Sequence, residues 1–381
     1  MKKFFALLLA VVMVLSLVAC GETKEPETTE TDEPEVVEAA YSVAMVTDYG
    51  DITDQSFNQT TYEACKAFCE ANSLQFTYYK PASDSDEDRI TSIETAIDEG
   101  YNVIVMPGYA FANAIKATCG ENPDVTFIAL DVGEGDFGDF QLPANTYSAV
   151  YQEELCGYMA GYAAVKLGYK KLGFLGGMAV PAVVRYGYGF IQGVDAAAAE
   201  LGLTDVECKY AYGNQFFGDA DITAAMDTWY GAGTEIVFAC GGGIYTSAAE
   251  AAAKVDGKVI GVDVDQAGII DGGYGDGMTV TSAMKGLAAS TKTALALIFE
   301  QNAWDTVVGK IDTLGLVSGT DPEANYVQIP MGSTQWADGF TQDDYVALVA
   351  AMFDGSVTVS NDTTAMPATT AAVVEDLGNI K

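Results

Sequence analysis

Four charged side chains follow directly on apolar, β-rich runs of the sequence, at positions where their chemistry could be combined. They are Asp48, Asp131, Asp263 and Lys285. Because parallel strands present their carboxyl ends at one edge of a sheet, we expect these side chains to face a common ligand. Carboxylates accept hydrogen bonds from vicinal hydroxyl groups, and a lysine donates to the same oxygens. The set therefore favours a neutral, hydroxylated ligand, with helix capping as the alternative role for Asp48 and Asp131.

Aromatic, amide and glycine residues follow the same predicted strands. Phe57 and Asn58 open a predicted helix behind the first strand, and Phe216 and Phe217 follow a strand of the second half. Aromatic rings can stack on a planar ligand, although packing in the core is the alternative for Phe57. Gly242 lies in a glycine-rich turn that lets the backbone approach a ligand closely. This turn lacks GxGxxG spacing and no GxxxxGK[ST] motif occurs, so no nucleotide-phosphate site is predicted.

The composition excludes several classes of function. The 381 residues contain 54 Asp and Glu against 18 Lys and Arg, a formal charge of −36, and no His. Without His there can be no Ser-His-Asp triad, no Cys-His pair and no His-ligated metal. Such acidity also argues against nucleic acid, because phosphate backbones bind basic surfaces. We therefore expect a binding protein rather than an enzyme, with no cofactor and no metal.

Strands and helices alternate along the body of the chain and must position these residues. Apolar runs rich in β-branched residues recur between helical segments from residue 41, and the pattern restarts near residue 145. Such runs are typical of parallel sheets covered on both faces. We predict an α/β protein with two doubly wound parallel-sheet lobes. Their predicted ranges are 41–145 plus 278–305 for the first lobe and 146–277 plus 306–354 for the second.

The late segments predict a hinge between the lobes. Additional short strands follow after both lobes are complete, which indicates that the chain recrosses between them. We expect three crossing segments, near residues 145, 275 and 310. Residues 355–381 show no clear hydrophobic period and are predicted to form a loosely packed tail.

The first forty residues carry a targeting signal and a tether. Two lysines precede an apolar run over 4–18, which is too short for a stable membrane span and ends in Leu-Val-Ala-Cys20. This ending resembles a bacterial lipobox, which implies that 1–19 is removed and that Cys20 is lipidated. An ordinary signal peptide with an incidental Cys20 is the alternative. The acidic segment that follows Cys20 predicts a solvated tether, so we expect 20–40 to hold the body at the extracytoplasmic face of the cell membrane.

Six further cysteines lie in the body of the chain. They are Cys65, Cys69, Cys119, Cys156, Cys208 and Cys240. Outside the cytoplasm, six cysteines could form three disulfides. Most of them lie in apolar helix or strand contexts, however, and two of them share a helix face at a spacing of four, which is poor geometry for a bridge. We favour buried thiols.

Several motifs that follow one another along the body of the chain carry a resemblance to a known family. They are TDYGDITDQSFNQTTYEACKAF (47–68), IALD (128–131), RYGYGFIQGVDAA (185–197), GVDVDQ (261–266) and TSAMK (281–285). In sequence and in order they resemble the motifs of the basic membrane protein family, the nucleoside-binding lipoproteins of ABC importers. The resemblance covers roughly 41–330. It implies a type I periplasmic-binding-protein fold with two lobes and a three-segment hinge. It also implies a monomer that binds a purine nucleoside and works with a separate permease and ATPase.

The resemblance further implies which residues bind the ligand. The base would be held by two stacking aromatics and three hydrogen-bonding side chains, namely Phe57 with Phe216 or Phe217, and Asp48, Asn58 and Asp131. The ribose hydroxyls would be held by Asp263, Lys285 and the backbone near Gly242. Two alternatives stay open: a protein of the same fold that binds a sugar or another polyhydroxylated molecule, and a lipoprotein that reports its ligand to a sensor.

The lipobox resemblance yields a first prediction. Because one acyl chain binds a membrane only weakly, we expect mature protein from native membranes to begin at a multiply acylated Cys20. Mass spectrometry of the N-terminal peptide checks this expectation, and a Cys20→Ala variant, which should stay unacylated and uncut at this site, is the control. An unmodified Cys20, or cleavage elsewhere, would contradict it.

Overall fold

The computed structural model describes residues 41–381 of the chain. The predicted signal segment, Cys20 and the acidic tether lie outside the described residues. Within 41–381, none of the helices is both long enough and apolar enough to cross a membrane.

The described residues form thirteen strands and eleven α-helices. The strands are β1 (Ser42–Val46), β2 (Gln75–Tyr79), β3 (Val103–Pro107), β4 (Thr126–Leu130), β5 (Thr146–Tyr151), β6 (Lys171–Gly176), β7 (Val206–Tyr212), β8 (Ile236–Cys240), β9 (Lys258–Asp263), β10 (Thr279–Lys285), β11 (Ile311–Leu314), β12 (Val327–Gln328) and β13 (Ala372–Asn379). The α-helices are α1 (Phe57–Ala71), α2 (Asp86–Asp98), α3 (Ala112–Thr118), α4 (Glu134–Phe137), α5 (Glu153–Lys166), α6 (Pro181–Leu201), α7 (Ala220–Gly231), α8 (Tyr245–Ala252), α9 (Ala267–Tyr274), α10 (Leu287–Phe299) and α11 (Gln342–Phe353).

The strands make two sheets, each the centre of one lobe. The first sheet has the order β11-β5-β4-β3-β1-β2, and the second has the order β12-β10-β9-β8-β6-β7-β13. All strand pairs are parallel except the short antiparallel pair between β10 and β12. Every residue of β1, β3 and β8 is buried, as expected for strands covered by helices on both faces. The predicted two-lobed α/β fold is confirmed.

The predicted lobe boundaries need correction at three strands. β5 and β11 pair with each other in the first sheet, although both were assigned to the second lobe. β10 pairs with β9 in the second sheet, although its range was assigned to the first lobe. Of the range 278–305, the helix α10 does lie in the first lobe, where Phe299 packs on Phe68 of α1. The chain therefore crosses after β5, after β10 and after β11, because each boundary strand is completed before the chain leaves its sheet.

The predicted loose tail is wrong. β13 lies parallel to β7 as the edge strand of the second sheet. Asp195 of α6 holds its start, accepting hydrogen bonds from the backbone N–H groups of Thr370, Ala371 and Ala372 at 2.7–2.9 Å. Most side chains of the strand are exposed, so backbone hydrogen bonds rather than an apolar period hold it in place.

The six cysteines of the body are buried and free. No disulfide occurs among residues 41–381. Burial raises the pKa of the Cys69 thiol to about 11 and that of Cys208 to about 12, so both stay protonated at neutral pH. The preference for buried thiols over disulfides agrees with this arrangement.

Glycines bring α5 and α6 into close contact. The helices run in the same direction, with Gly157 and Gly161 on α5 facing Gly189 and Gly193 on α6. A Cβ on Gly193 would lie 2.1 Å from the carbonyl oxygen of Tyr158. Because no real Cβ comes this close to a backbone oxygen, any larger residue would force the helices apart.

A substitution tests this packing. Gly193→Ala should destabilise the protein by about 1–3 kcal/mol, because the new methyl group overpacks the contact between the helices. Urea unfolding followed by circular dichroism measures the change. Gly231→Ala is the matched control, because it lies in helix α7 with nothing within 4 Å of a new Cβ. This control should be neutral or stabilise by up to about 1 kcal/mol. Equal stabilities for the two variants would contradict the proposed helix contact.

Candidate ligand-binding site

A cavity of about 410 Å³ lies at the carboxyl ends of both sheets. Residues of both lobes line it. All nine residues predicted to bind a ligand are among them, namely Asp48, Phe57, Asn58, Asp131, Phe216, Phe217, Gly242, Asp263 and Lys285. The placement follows from the parallel sheets, whose strands deliver their next residues to one edge.

Asp48 and Asn58 form a tight polar corner in the first lobe. Asp48 Oδ1 accepts hydrogen bonds from the backbone N–H groups of Tyr49 and Gly50 at 2.6 and 2.7 Å. Burial raises the pKa of Asp48, although these hydrogen bonds oppose the shift. A Cβ on Gly50 would lie 2.4 Å from Asn58 Nδ2. Only glycine at position 50 therefore leaves room for both side chains.

Asp54 fixes the start of α1 and with it Phe57 and Asn58. Its carboxylate accepts hydrogen bonds from the backbone N–H groups of Ser56, Asn58 and Gln59 at 2.9–3.1 Å. These are donors that a helix start leaves unpaired, and Ser56 itself makes no side-chain cap. Asn58 Nδ2 also donates to Asp54, while Asn58 Oδ1 is buried without a hydrogen-bond partner. A buried acceptor in a residue that lines the cavity is thus left without a partner.

A buried ionic cluster occupies the other end of the cavity. Lys285 Nζ donates to Asp131 Oδ2 at 2.5 Å and lies 3.5 Å from Glu153 Oε1 and 3.7 Å from Asp263 Oδ1. Burial lowers the pKa of Lys285, but the carboxylates, led by Asp131, outweigh it and hold the pKa above its usual value. Burial raises the pKa of Asp131 to about 6, with Lys285 opposing the shift. Asp131 Oδ1 has no hydrogen-bond partner.

Aromatic rings surround the Lys285 ammonium group. Its Nζ lies 4.6 Å from the ring centroid of Phe57, 5.4 Å from that of Tyr151 and 5.7 Å from that of Tyr186. Such distances permit cation–π attraction. Phe57 is half-buried: it lines the cavity and also packs against the edge of the hydrophobic core.

The two phenylalanines of the second lobe differ in their surroundings. The Phe216 ring lies against the backbone of two glycine turns, and a Cβ on Gly177 or Gly241 would lie 2.4 or 2.9 Å from it. Gly241 and Gly242 both have positive φ, at 150° and 52°. Phe217 is 54% exposed at the cavity rim. Of the two candidates for the second stacking residue, Phe216 is therefore the one whose ring is held in place by its neighbours.

Two hydrogen bonds join the lobes beside the cavity. Ser56 Oγ at the start of α1 donates to Asp263 Oδ2 at 2.5 Å. Gln266 Nε2 donates to the backbone carbonyl of Gln55 at 3.2 Å. Together with the pair of Lys285 and Asp131, these contacts hold the lobes together across the cavity.

Three functional candidates were missed in the sequence. Glu153 at the start of α5 is fully buried, and Arg185 Nε donates to its Oε2 at 2.7 Å. Tyr186 lines the cavity, and its hydroxyl donates to Asp263 Oδ1 at 3.2 Å. Arg185 and Tyr186 open the motif RYGYGFIQG, which was the available signal. No group of three or more His, Cys, Asp or Glu in residues 41–381 is arranged to hold a metal ion.

Comparison with known proteins identifies the family. The model of the Bmp family, described as ABC transporter substrate-binding protein PnrA-like, matches residues 41–320. The chain belongs to the Bmp family. The predicted resemblance is thereby confirmed, and the protein is an ABC transporter substrate-binding protein, a class that acts outside the cytoplasm.

Named relatives and solved structures agree with this membership. A Bmp relative from Lactococcus lactis, "ABC transporter nucleoside-binding protein BmpA", is 31% identical over 60% of this chain and 66% of its own length. Basic membrane protein B of Borreliella burgdorferi is 28% identical over 74% of this chain and 81% of its own length. The crystal structure of a solute-binding protein of an ABC transporter system from Aeropyrum pernix superposes on this chain with a TM-score of 0.64 at 20% identity. The superposition covers 85% of this chain and 88% of the Aeropyrum pernix chain. This last likeness shows the fold.

Glu154, next to Glu153, makes the stability of the Bmp protein depend on pH. Burial raises the pKa of Glu154 from 4.5 to about 7, and Oε2 of its carboxyl group has no hydrogen-bond partner. A carboxyl group with a higher pKa in the folded than in the unfolded protein binds a proton on folding. Its contribution to the free energy of unfolding is therefore complete below pH 4.5 and is lost as the pH rises through about 7.

A neutral variant should remove this pH dependence. We expect Glu154→Gln to be more stable than the unmodified protein at pH 8 by on the order of 2 kcal/mol and equally stable at pH 4. Urea unfolding at both pH values checks the difference. Glu207→Gln, at an exposed position of β7, is the control and should change stability little at either pH. A constant difference across the pH range would contradict a protonated Glu154.

Proposed function

We propose that this protein captures a neutral purine nucleoside in the cavity and delivers it to an ABC importer. The observation that carries the proposal is the pairing, in one cavity, of aromatic rings from both lobes with buried acceptors that lack partners, Asn58 Oδ1 and Asp131 Oδ1. A planar base with a hydroxylated sugar satisfies both kinds of group. The name of the Lactococcus lactis relative, which specifies nucleoside binding, supports the choice of ligand class.

The base would lie between Phe57 and Phe216. One ring comes from the first lobe and the other from the second, so both faces of the base are covered only when the lobes are together. Stacking on an aromatic ring contributes about 1–3 kcal/mol for each base. Asp48 and Asn58, in their corner of the first lobe, would bond the edge of the base.

The ribose would lie at the ionic cluster. Asp263 would accept hydrogen bonds from the two hydroxyl groups, and Lys285 would donate to them. Asp131 keeps Lys285 in place through Oδ2 and has Oδ1 free for a ligand donor, so it would join the base and ribose contacts. The backbone near Gly242 completes this end of the cavity.

Lobe closure would couple binding to transport. Ser56 and Gln55 of the first lobe contact Asp263 and Gln266 of the second, and these contacts would exist only in the closed state. A ligand that touches both lobes favours closure by the contacts that closure alone provides. The closed protein would then be recognised by the permease, while a lipidated Cys20 holds it at the membrane as a monomer.

Calorimetry with purine nucleosides, pyrimidine nucleosides, pentoses and hexoses tests the ligand class. We expect a purine nucleoside to bind tightest. Asp263→Ala should weaken its binding by about 2–4 kcal/mol, because the variant loses charge-assisted bonds in a desolvated site. Phe57→Ala should cost about 1–3 kcal/mol through lost stacking.

Asp276→Ala is the matched control, because Asp276 is exposed and does not line the cavity. It should bind the nucleoside as the unmodified protein does. Tight binding of a sugar with no nucleoside binding would replace the proposal by the sugar alternative. An Asp263→Ala variant that retains full affinity would remove the assigned ribose site.

A further inference from the structure

One buried carboxylate behind the cavity is used by none of the ligand contacts proposed above. Glu153 begins α5 at the first crossing between the lobes, and it is fully buried. It does not line the cavity, yet it contacts Lys285, which does. Arg185 of α6 binds its other oxygen at 2.7 Å. The side chain therefore lies one layer behind the lysine end of the cavity.

The glycine contacts of α5 and α6 hold this arrangement. A Cβ on Gly189 would lie 2.1 Å from the carbonyl oxygen of Glu154, so the first turn of α5 packs directly on α6. The helices run in the same direction, which brings Glu153 of α5 and Arg185 of α6 side by side. The position of Glu153 is thus fixed by backbone packing.

The charges of the cluster do not balance. Three carboxylates, Asp131, Glu153 and Asp263, face two cations, Lys285 and Arg185, so the formal charge is −1 when all are ionised. Without the charge of Glu153, the sum is zero. Buried charges are weakly screened, so the charge behind the wall acts across the cavity.

Glu153 also uses one donor of Lys285. An ammonium group has three N–H donors, and Lys285 Nζ donates to Asp131 at 2.5 Å and to Glu153 at 3.5 Å, whereas Asp263 at 3.7 Å is beyond hydrogen-bond distance. One donor is therefore left for a ligand hydroxyl. A phosphate at this end of the cavity would also meet the net negative charge of the cluster, which one N–H does not neutralise.

We propose that Glu153 determines specificity from outside the cavity: it positions Lys285 and keeps that end of the cavity anionic, so that a nucleoside is accepted and its monophosphate is rejected. The proposal rests on the proposed function, because it assumes that the nucleoside binds in this cavity.

Two ligands and matched variants test the proposal. Calorimetry at pH 7.5 compares inosine with inosine 5′-monophosphate. We expect the unmodified protein to prefer inosine at least about 100-fold and Glu153→Gln to reduce this preference about tenfold or more. Glu153→Asp keeps the charge and should retain most of the preference. Glu207→Gln, which removes one negative charge at an exposed position of β7 outside the cavity, is the charge control and should change the preference less than about twofold.

If Glu153→Gln does not fold, the proposal can be tested with a variant that should shift the preference for inosine in the opposite direction. Arg185→Gln removes the cation that opposes Glu153 and should increase the preference for inosine about threefold or more. An unchanged preference in folded Glu153→Gln would overturn the proposal and indicate steric exclusion of phosphate. Equal losses of affinity for both ligands would also overturn it, because they indicate a purely structural role.

A second measurement uses no nucleoside. Carbon-13 NMR of labelled aspartate carboxyl groups, assigned with Asp131→Asn, follows the titration of Asp131 in the full chain. The groups that face Asp131 are Lys285, Glu153, Arg185 and Tyr151. Loss of the Glu153 charge should lower the titration midpoint of Asp131 by about one pH unit. An unchanged midpoint would overturn the role of Glu153, whereas failure of inosine to bind any variant would overturn the proposed function alone.

Discussion

One ammonium group shared by three carboxylates is the interaction on which the cleft depends. Lys285 ends β10 in the second sheet, while Asp131 follows β4 in the first, and their 2.5 Å contact joins the two lobes. A buried charge is tolerated only when it is paired, so separation of the lobes must rehydrate both partners. The chemistry of the cavity and the relative position of the lobes are therefore set by the same few atoms.

Glycine backbone makes the space around this cluster. Gly50 leaves room for Asn58, and Gly177 and Gly241 receive the ring of Phe216. Asp131 and Asp263 themselves have positive φ, at 62° and 63°, so the backbone turns sharply at the end of each of the two strands. Such conformations are uncommon for residues other than glycine, although aspartate adopts them more readily than most, and here each carboxylate is also held by contacts of the ionic cluster.

The sequence predicts the strand-end residues better than the connections between strands. Asp48, Asp131 and Asp263 converge because every parallel strand delivers its next residue to the same edge, which requires no knowledge of strand order. The neighbouring strands of β5, β10 and β11 could not be predicted. An apolar run indicates that a strand is buried, but it does not indicate which strand lies beside it. Glu153 was missed because an acid in the first turn of a helix is usually a solvated cap.

The position of β13 has a consequence for how the protein folds. The second sheet begins with β6 at residue 171 and is completed by a strand that ends at residue 379, so its edge is supplied by a segment far away in the sequence. Contacts between residues so far apart in sequence form late, because a long loop must close first. The second lobe thus cannot finish folding until β13 has been synthesised, and a nascent chain that lacks β13 leaves the backbone of β7 unpaired at the sheet edge.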